Sequence, residues 1–407
     1  MADPEVRVQA ALDRLAGDLP AIGIALSGGG DSTALMHMAK TWARGRPVLA
    51  ATVDHALRPD SAAEAQAAGL AAQALDIPHT ILTWQHEGPA GNLMANARDA
   101  RLRLLSAWAR DRGLPAVLLG HTRDDQAETL LMRLMRGAGV DGLAGMGEGR
   151  EAFGIRWLRP MLDVGRAELR GWLTARGIGW IDDPTNEKVD FDRIRLRKTM
   201  EAMGIDAAPL ALSARNIAQA RDALAHYAGQ TVTDAHADRG SLILPRAPFD
   251  SAPPEVQRRI LTAAARWISG ADYPARRATV LHALAAVVAG DRATLDGALF
   301  HPLADHIRVI REPAAALRAA TAADGIWDGR WCLTGLSAED EVTALGFESL
   351  TEIDWRGANL TRDEAAATPA IRRDRHLLAA PVLRPQAPWA AEPLRDIADF
   401  LRLVHHR

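Results

Sequence analysis

Six consecutive residues, Ser27-Gly28-Gly29-Gly30-Asp31-Ser32, combine what a phosphate site needs. Three glycines let the backbone pass close to a ligand, a helix start leaves N–H groups without intrahelical partners, and two serines add hydroxyl donors. The same residues also suit an ordinary helix start with Asp31 or Ser32 as its N-cap. No lysine ends the loop, so the contact that a GK[ST] sequence makes with the outer phosphates is missing. An aspartate among phosphates is repelled unless a cation stands between them, so Asp31 implies Mg²⁺.

Two further clusters carry chemistry. In Val53-Asp54-His55-Ala56-Leu57-Arg58, Asp54 suits a ribose hydroxyl, although Asp54 and His55 serve equally well to start a loop and cap the next helix. In Gly120-His121-Thr122-Arg123-Asp124-Asp125-Gln126-Ala127-Glu128-Thr129, a turn of 100° per residue puts Asp125, Glu128, Thr129 and Met132 on one face. Ala127, Leu130, Leu131 and Leu134 form the opposite stripe, which is expected to face the core. Carboxylates pointing away from that stripe suit Mg²⁺ or the ammonium of an amine substrate, or simply a solvated helix start. His121 suits proton transfer or a phosphate contact. The glycines of Arg136–Met146 mark a lid or a plain helix terminator, and Arg193, Arg195, Arg197 and Lys198 form a basic run that can clamp phosphates or lie in solvent.

These clusters follow short apolar runs. AIGIAL (21–26), PVLAATV (47–53), HTILTW (79–84) and AVLLGH (116–121) read as buried strands, separated by helical patterns at 32–44, 61–76 and 91–112. Strand-helix alternation predicts an α/β fold with a doubly wound parallel sheet, and right-handed crossovers bring the segments after residues 26, 53 and 121 to one edge. Beyond residue 205 the alternation stops. Helical patterns at 209–228 and 254–290, a turn at 290–297 and a strand at 306–312 predict a mixed, mostly helical domain over 206–321. Residues 322–407 predict a small β-rich C-terminal domain anchored by Trp327 and Trp331, leaving 1–205 as the nucleotide-binding domain.

A chain of 407 residues with 48% hydrophobic and 24% charged residues buries a large interior and is no disordered tail. Its formal charge of -3 gives no overall basic field, so any nucleic-acid contact must be local. One cysteine, Cys332, excludes an internal disulfide, a CxxC pair and a cysteine-built cluster. The N-terminus lacks the apolar run of a signal peptide and no 18-residue apolar stretch occurs, so no membrane contact and a cytoplasmic location are expected.

The SGGxDS pattern resembles the PP-loop of the ATP pyrophosphatase superfamily, whose fold is adenine nucleotide alpha hydrolase-like and which splits ATP between the α and β phosphates. Together with VDHALR, Ser61, Glu64, Ala97-Arg98, Arg101, GHTRDDQAET, RGAGVDGLAGM, RPML (159–162), Arg166 and the W-x-DDPTN stretch from Trp180, it resembles the tRNA(Ile)-lysidine synthases. The match is dense over residues 20 to 200, and RATLDG, IREP and IWDGRW extend it more loosely. It departs at Phe191-Asp192-Arg193-Ile194-Arg195, where the family shows an Arg-Asn pair before Ile-Arg. The family's catalytic arginine therefore falls on Arg193 or Arg195, with Arg193 preferred.

That resemblance implies ligation of free L-lysine to the wobble cytidine of a CAU-anticodon tRNA(Ile), with ATP and Mg²⁺ as cofactors. It implies catalytic roles for Asp31, His121, Asp125, Glu128 and Arg193, nucleotide contacts from Ser27, Gly28, Gly29, Gly30, Asp31, Ser32 and Asp54, and metal contacts from Asp31 and Asp125. His121 and Arg193 would stabilise phosphoryl charge, and Arg258, Arg259, Arg276 and Arg277 would touch tRNA phosphates unless they are plain surface charge. A homodimer is left open. A sulfur-transfer rival needs paired cysteines and is disfavoured by the lone Cys332; a PP-loop amide synthetase acting on a small carboxylate is the alternative, and a non-catalytic RNA-binding regulator is a third reading.

Overall fold

A computed structural model describes residues 3–56, 61–85, 93–181, 191–319 and 325–405, with only the backbone of 93–95, 97–98 and 191–192. Leu57, Arg58 and the DDPTN residues 182–186 lie outside the described residues, as does Lys188.

Asp3 and Pro4 start α1 (Pro4–Ala16): the Asp3 carboxylate accepts the Glu5 N–H, and proline's missing donor costs nothing in a first turn. Four buried residues make β1 (Ile22–Ala25), which the glycine loop joins to α2 (Gly30–Ala43). The alternation repeats through β2 (Val48–Asp54), α3 (Ser61–Gln73), β3 (His79–Thr83), α4 (Leu93–Asp111) and β4 (Ala116–Leu118). Then come α5 (Arg123–Met135), α6 (Val140–Leu143), the hairpin of β5 (Gly149–Ala152) and β6 (Ile155–Leu158), α7 (Arg166–Ala175), α8 (Phe191–Ala202) and α9 (Ala207–Thr231).

The six strands lie in the order β3-β2-β1-β4-β6-β5, parallel apart from the β5 edge. Strand order reverses between β1 and β4, which is where an open α/β sheet leaves a crevice beyond its carboxyl ends. Successive β1 residues serve opposite faces. Ile22 and Ile24 pack with Leu12, Leu35 and Leu173, while Ala25 packs with Leu105, Trp108 and Trp157. The doubly wound α/β sheet expected from the alternation is therefore present, with helices on both faces.

By compactness the chain forms two units, 1–221 and 222–407, where cuts at 205 and 321 were expected. The second unit holds an antiparallel sheet of β7 (His236–Asp238), β8 (Ser241–Pro245), β9 (Ala293–Leu295), β10 (Ala298–Pro302) and β11 (His306–Arg311), with α10 (Arg246–Ser251), α11 (Pro254–Ser269) and α12 (Arg277–Ala289). The stretch 254–290 breaks into two helices because Gly270 takes φ 71 and caps α11. Residues 290–297 do more than turn, since β9 forms within them and pairs with β10.

Two three-stranded sheets follow, and Trp327 and Trp331 are buried between their side chains as expected. What joins this tail to the preceding sheet is a buried polar network: Arg308 donates to both Glu364 oxygens, Ser241 Oγ donates to Glu364 at 2.7 Å, and Arg311 pairs with Asp328 at 2.8 Å. The C-terminal helix Ile397–His405 then returns Phe400 and Val404 to the core that contains Trp267 and Phe300. No described helix is long and apolar enough to cross a membrane.

Candidate active site

The glycine loop leaves β1 and enters α2 through a backbone that only small residues allow. Gly28 has φ 81, and a Cβ there would sit 2.6 Å from Ile181 Cδ1. Its carbonyl accepts from Ile181 N at 2.9 Å and from Thr33 Oγ1 at 3.2 Å. The N-cap of α2 is Gly29, which has no side chain to offer, so neither Asp31 nor Ser32 is spent on capping. Ser32 Oγ lies 3.0 Å from Ser27 Oγ and donates to Gly29 O at 3.0 Å, which closes the loop. Uncapped N–H groups at the start of a helix are the arrangement that binds an anion.

The end of β4 abuts this loop. A Cβ on Gly120 would lie 3.2 Å from Ser32 N and Cα, so glycine permits the approach that sets His121 and α5 beside the phosphate loop. Thr122 and Asp125 form a capping box at the start of α5: Asp125 Oδ2 accepts from Thr122 N at 2.8 Å and from Thr122 Oγ1 at 2.9 Å. The face assignment made from the sequence holds for Ala127 and Leu130, which are 0% and 5% exposed, and fails for Leu134, which is 55% exposed at the end of the helix. The opposite face is buried as well, with Asp125 and Glu128 7% and 2% exposed. The carboxylates go inside because a guanidinium meets them there.

That guanidinium is Arg166. Its Nε donates to Asp31 Oδ2 at 3.1 Å, its Nη2 to Asp125 Oδ1 at 3.1 Å, and its Nη1 reaches Glu128 Oε1 at 3.5 Å. Its backbone N–H donates to Asp124 Oδ2 at 2.8 Å. On its other side Glu128 receives Arg197, with Nε on Oε1 and Nη2 on Oε2 at 3.2 Å. Burial pushes the Asp31 carboxyl above the ordinary range, and Arg166 offsets this only in part. Burial acts on Asp125 too, but Arg166 and the Thr122 bonds outweigh it and hold that carboxyl low. Asp31 Oδ1 is buried with no hydrogen-bond partner.

That orphan oxygen decides whether a divalent cation fits. Among the described residues no group of three or more His, Cys, Asp or Glu is arranged to hold a metal by itself. Mg²⁺ does not need one, since it takes one or two carboxylates and completes its octahedron with phosphate oxygens and water. Asp31 has an oxygen to give. Asp125, expected as a second metal contact, has both of its oxygens engaged by Thr122 and Arg166.

His121 is held from behind by Arg159, whose Nε donates to His121 Nδ1 at 3.2 Å. A ring nitrogen that accepts carries no proton, so the neutral tautomer has its N–H on Nε2. Burial pushes the imidazole down to about 4; Asp125 opposes this, and Arg159, Arg101 and Arg193 add to it. His121 is thus a neutral donor at physiological pH. It is not poised to take a proton.

Asp54 spends Oδ1 on the Ala56 N–H at 2.8 Å, so it does start a loop, with Ala56 at φ 51. The glycine-rich stretch after α5 is pinned: Gln126 exchanges two bonds with the Met146 backbone, at 2.7 and 2.8 Å, and Arg133 donates to Gly142 O and Gly145 O. On α8, Arg193 and Arg197 share a face, which explains why one acts on His121 and the other on Glu128. Arg195, two residues from each, lines a groove with Met132, Met135, Arg136, Leu196 and Thr199.

Arg159 and Arg166 entered the sequence reading as residues that carry the family resemblance, and Arg197 as part of a basic run, but none of the three was given a role in the site. For Arg166 a signal existed: an arginine at the first residue of a helix opposes the helix dipole, so its charge must be answered elsewhere.

The PP-loop domain family matches residues 4–202. Over 93% of this chain and 92% of its own length, the tRNA(Ile)-lysidine synthase of Ruegeria pomeroyi is 41% identical. This chain belongs to the tRNA(Ile)-lysidine synthase family. A second tRNA(Ile)-lysidine synthase, from Methylobacterium nodulans, is 40% identical over 74% of this chain and 94% of its own. Among solved structures, the U34-tRNA thiolase NcsA from Methanococcus maripaludis aligns with TM-score 0.45 and 14% identity, over 53% of this chain and 78% of that one. Membership in the lysidine synthase family brings with it an ATP-using PP-loop, which is the role the loop geometry of residues 27–32 suits.

Proposed function

We propose that this chain uses ATP to join free L-lysine to C2 of the wobble cytidine in a CAU-anticodon tRNA(Ile), forming lysidine with release of AMP and pyrophosphate. One observation carries the reading: the crevice beyond β1 and β4 brings an uncapped phosphate loop, with its orphan Asp31 oxygen, against the buried Asp125 and Glu128 pair. The family's members are named for lysidine synthesis on tRNA(Ile).

The C2 carbonyl oxygen of cytidine is a poor leaving group. In the first step it attacks the α-phosphorus of ATP, a C2–O–P bond forms, and pyrophosphate departs. Residues 27–32 hold the departing phosphates through N–H groups at the start of α2 and the Ser27 and Ser32 hydroxyls. Asp31 would hold Mg²⁺, which when bound supplies positive charge against the phosphates. His121 donates its Nε2 proton to a phosphoryl oxygen, Arg193 adds positive charge beside it, and Asp54 meets the ribose with the oxygen not used on Ala56.

In the second step an amine of lysine attacks C2, the C2–O bond breaks, and AMP leaves with the bonding electrons. Asp125 and Glu128 seat the lysine ammonium and are the groups placed to take the proton that the attacking amine loses. The second unit grips the tRNA body, with the exposed Arg276 and Arg277 toward its phosphates, and the reaction runs in the cytoplasm; Arg258 and Arg259, expected beside them, are instead buried against Glu255.

The test is transfer of radiolabelled lysine to an unmodified CAU-anticodon isoleucine tRNA with ATP and Mg²⁺. Label retained on that tRNA, and absent without ATP, is expected. AMP released with a small carboxylate and an amine, with no label on tRNA, would replace this reading by the amide synthetase.

A further inference from the structure

The carboxylate pair assigned above to the lysine ammonium is already neutralised in the structure. Asp125 Oδ1 takes Arg166 Nη2 at 3.1 Å and its Oδ2 takes two donors from Thr122; both Glu128 oxygens take Arg197, and Oε1 also faces Arg166 at 3.5 Å. An ammonium entering this pocket would stand beside a guanidinium of the same sign, in a place where burial weakens screening. The amine seat is therefore occupied by a residue of the chain itself.

Of the two arginines, Arg166 is the one that also reaches the nucleotide half. Its Nε donates to Asp31 Oδ2 at 3.1 Å, next to the orphan Oδ1, while its backbone is fixed to Asp124 at 2.8 Å. One fork thus spans the phosphate loop and the start of α5 with three separate donors. A guanidinium binds phosphate oxygens in the same bidentate way that it binds carboxylates, so a triphosphate arriving at residues 27–32 competes with Asp125 and Glu128 for it.

We propose that Arg166 is a positioning residue that holds the lysine seat shut until nucleotide phosphates draw its guanidinium toward the loop, so that lysine and ATP bind with positive coupling. The inference rests on the lysidine reading. It concerns the order of binding and not the chemistry: lysine seats well only after ATP. Because linkage is reciprocal, lysine must tighten ATP binding by the same factor.

The experiment is calorimetric titration of L-lysine into the full chain, alone and saturated with α,β-methylene-ATP and Mg²⁺. For the wild type, nucleotide should tighten lysine binding by about five-fold or more, the lower end of common coupling factors. In R166Q, lysine should bind the nucleotide-free protein more tightly than it binds wild type, and the coupling factor should fall to about one. If R166Q does not fold, R166K keeps a cation without the fork and should show a coupling factor between those two. Wild type that binds lysine equally with and without nucleotide overturns the proposal, and so does R166Q that binds lysine more weakly than wild type in both states, which would make Arg166 part of the lysine pocket. Wild type that binds the nucleotide but lysine in neither state overturns the lysidine reading along with it.

Discussion

Around Arg166 three carboxylates, Asp31, Asp125 and Glu128, share one guanidinium, whereas around Glu255 in the second unit three guanidiniums, Arg258, Arg259 and Arg277, share one carboxylate. Both clusters are built from the same ion pairs, so their formation says little about function. Their imbalance says more. With Arg197 counted on Glu128, the first holds three carboxylates against two guanidiniums and keeps negative charge for Mg²⁺, or for an ammonium once Arg166 moves; the second is short of negative charge and suits a polyanion. Depth does not separate them as wholes, since Arg258 and Arg259 are 7% and 5% exposed, but the second cluster has one member in solvent, Arg277, with 54% of its side chain exposed. The first cluster should matter for chemistry. The second should matter for affinity through its exposed member, and in a salt-dependent way.

The largest effect should come from neutralising the acidic cluster. D125N is expected to lower lysine transfer by about a thousand-fold or more while still folding but melting below the wild type, because asparagine accepts the Thr122 bonds that cap α5 and loses the buried ion pair with Arg166. Single-turnover transfer to tRNA and a thermal melt check both halves. Wild-type turnover in D125N would remove Asp125 from the amine seat and dissolve the contrast with Glu255.

Next in size is His121. H121A should cost about a hundred-fold in the adenylation step, read as lysine-independent pyrophosphate release, and H121Q should restore part of it because an amide N–H can stand in for Nε2–H. The imidazole also leaves a trace in stability. Its pKa is about 4 when folded against 6.5 otherwise, so between those values the unfolded chain binds more protons and folding is penalised as pH falls. The melting temperature of wild type should therefore drop more steeply than that of H121Q between pH 6.5 and pH 4. Parallel profiles would mean that His121 titrates like an exposed residue and is no neutral donor.

The α/β half of the fold was legible because its signal is local: β1 to β4 are short apolar runs, and each helix between them carries its own period. The phosphate loop was legible for the same reason, its six residues being contiguous. The acidic pair was found opposite the apolar stripe, but its burial was not foreseen, since periodicity reports which residues of a helix are apolar and not which charges a distant arginine will neutralise. Arg166 lies 41 residues from Asp125 and Arg197 lies 69 from Glu128, and no pattern within a helix reports pairings at that range. The second unit hid its unity likewise. Glu364 joins Ser241 and Arg308 across more than fifty residues, and composition alone suggested a boundary between them.

A smaller effect is expected at the second cluster. The double variant R276Q/R277Q should weaken tRNA binding by about ten-fold and reduce the slope of log affinity against log salt by about one to two, while leaving lysine transfer at saturating tRNA unchanged. Affinities measured at several salt concentrations decide it. An unchanged slope would make these arginines plain surface charge and leave Glu255 as a simple helix-start pair with Arg258.

The smallest effect separates two arginines on one helix. Arg193 acts on His121 and Arg197 pairs with Glu128, whereas Arg195 faces the groove beside Met132 and Met135. R195A should therefore lower the lysine-transfer rate at saturating tRNA by clearly less than R193A, for which a loss of about a hundred-fold is expected. The family's arginine fell on one or the other from the sequence alone, and side-by-side rates of these two variants choose between them. Equal losses would place α8 in a different rotation about its axis, and the contact of Arg197 with Glu128 would have to be given up with it.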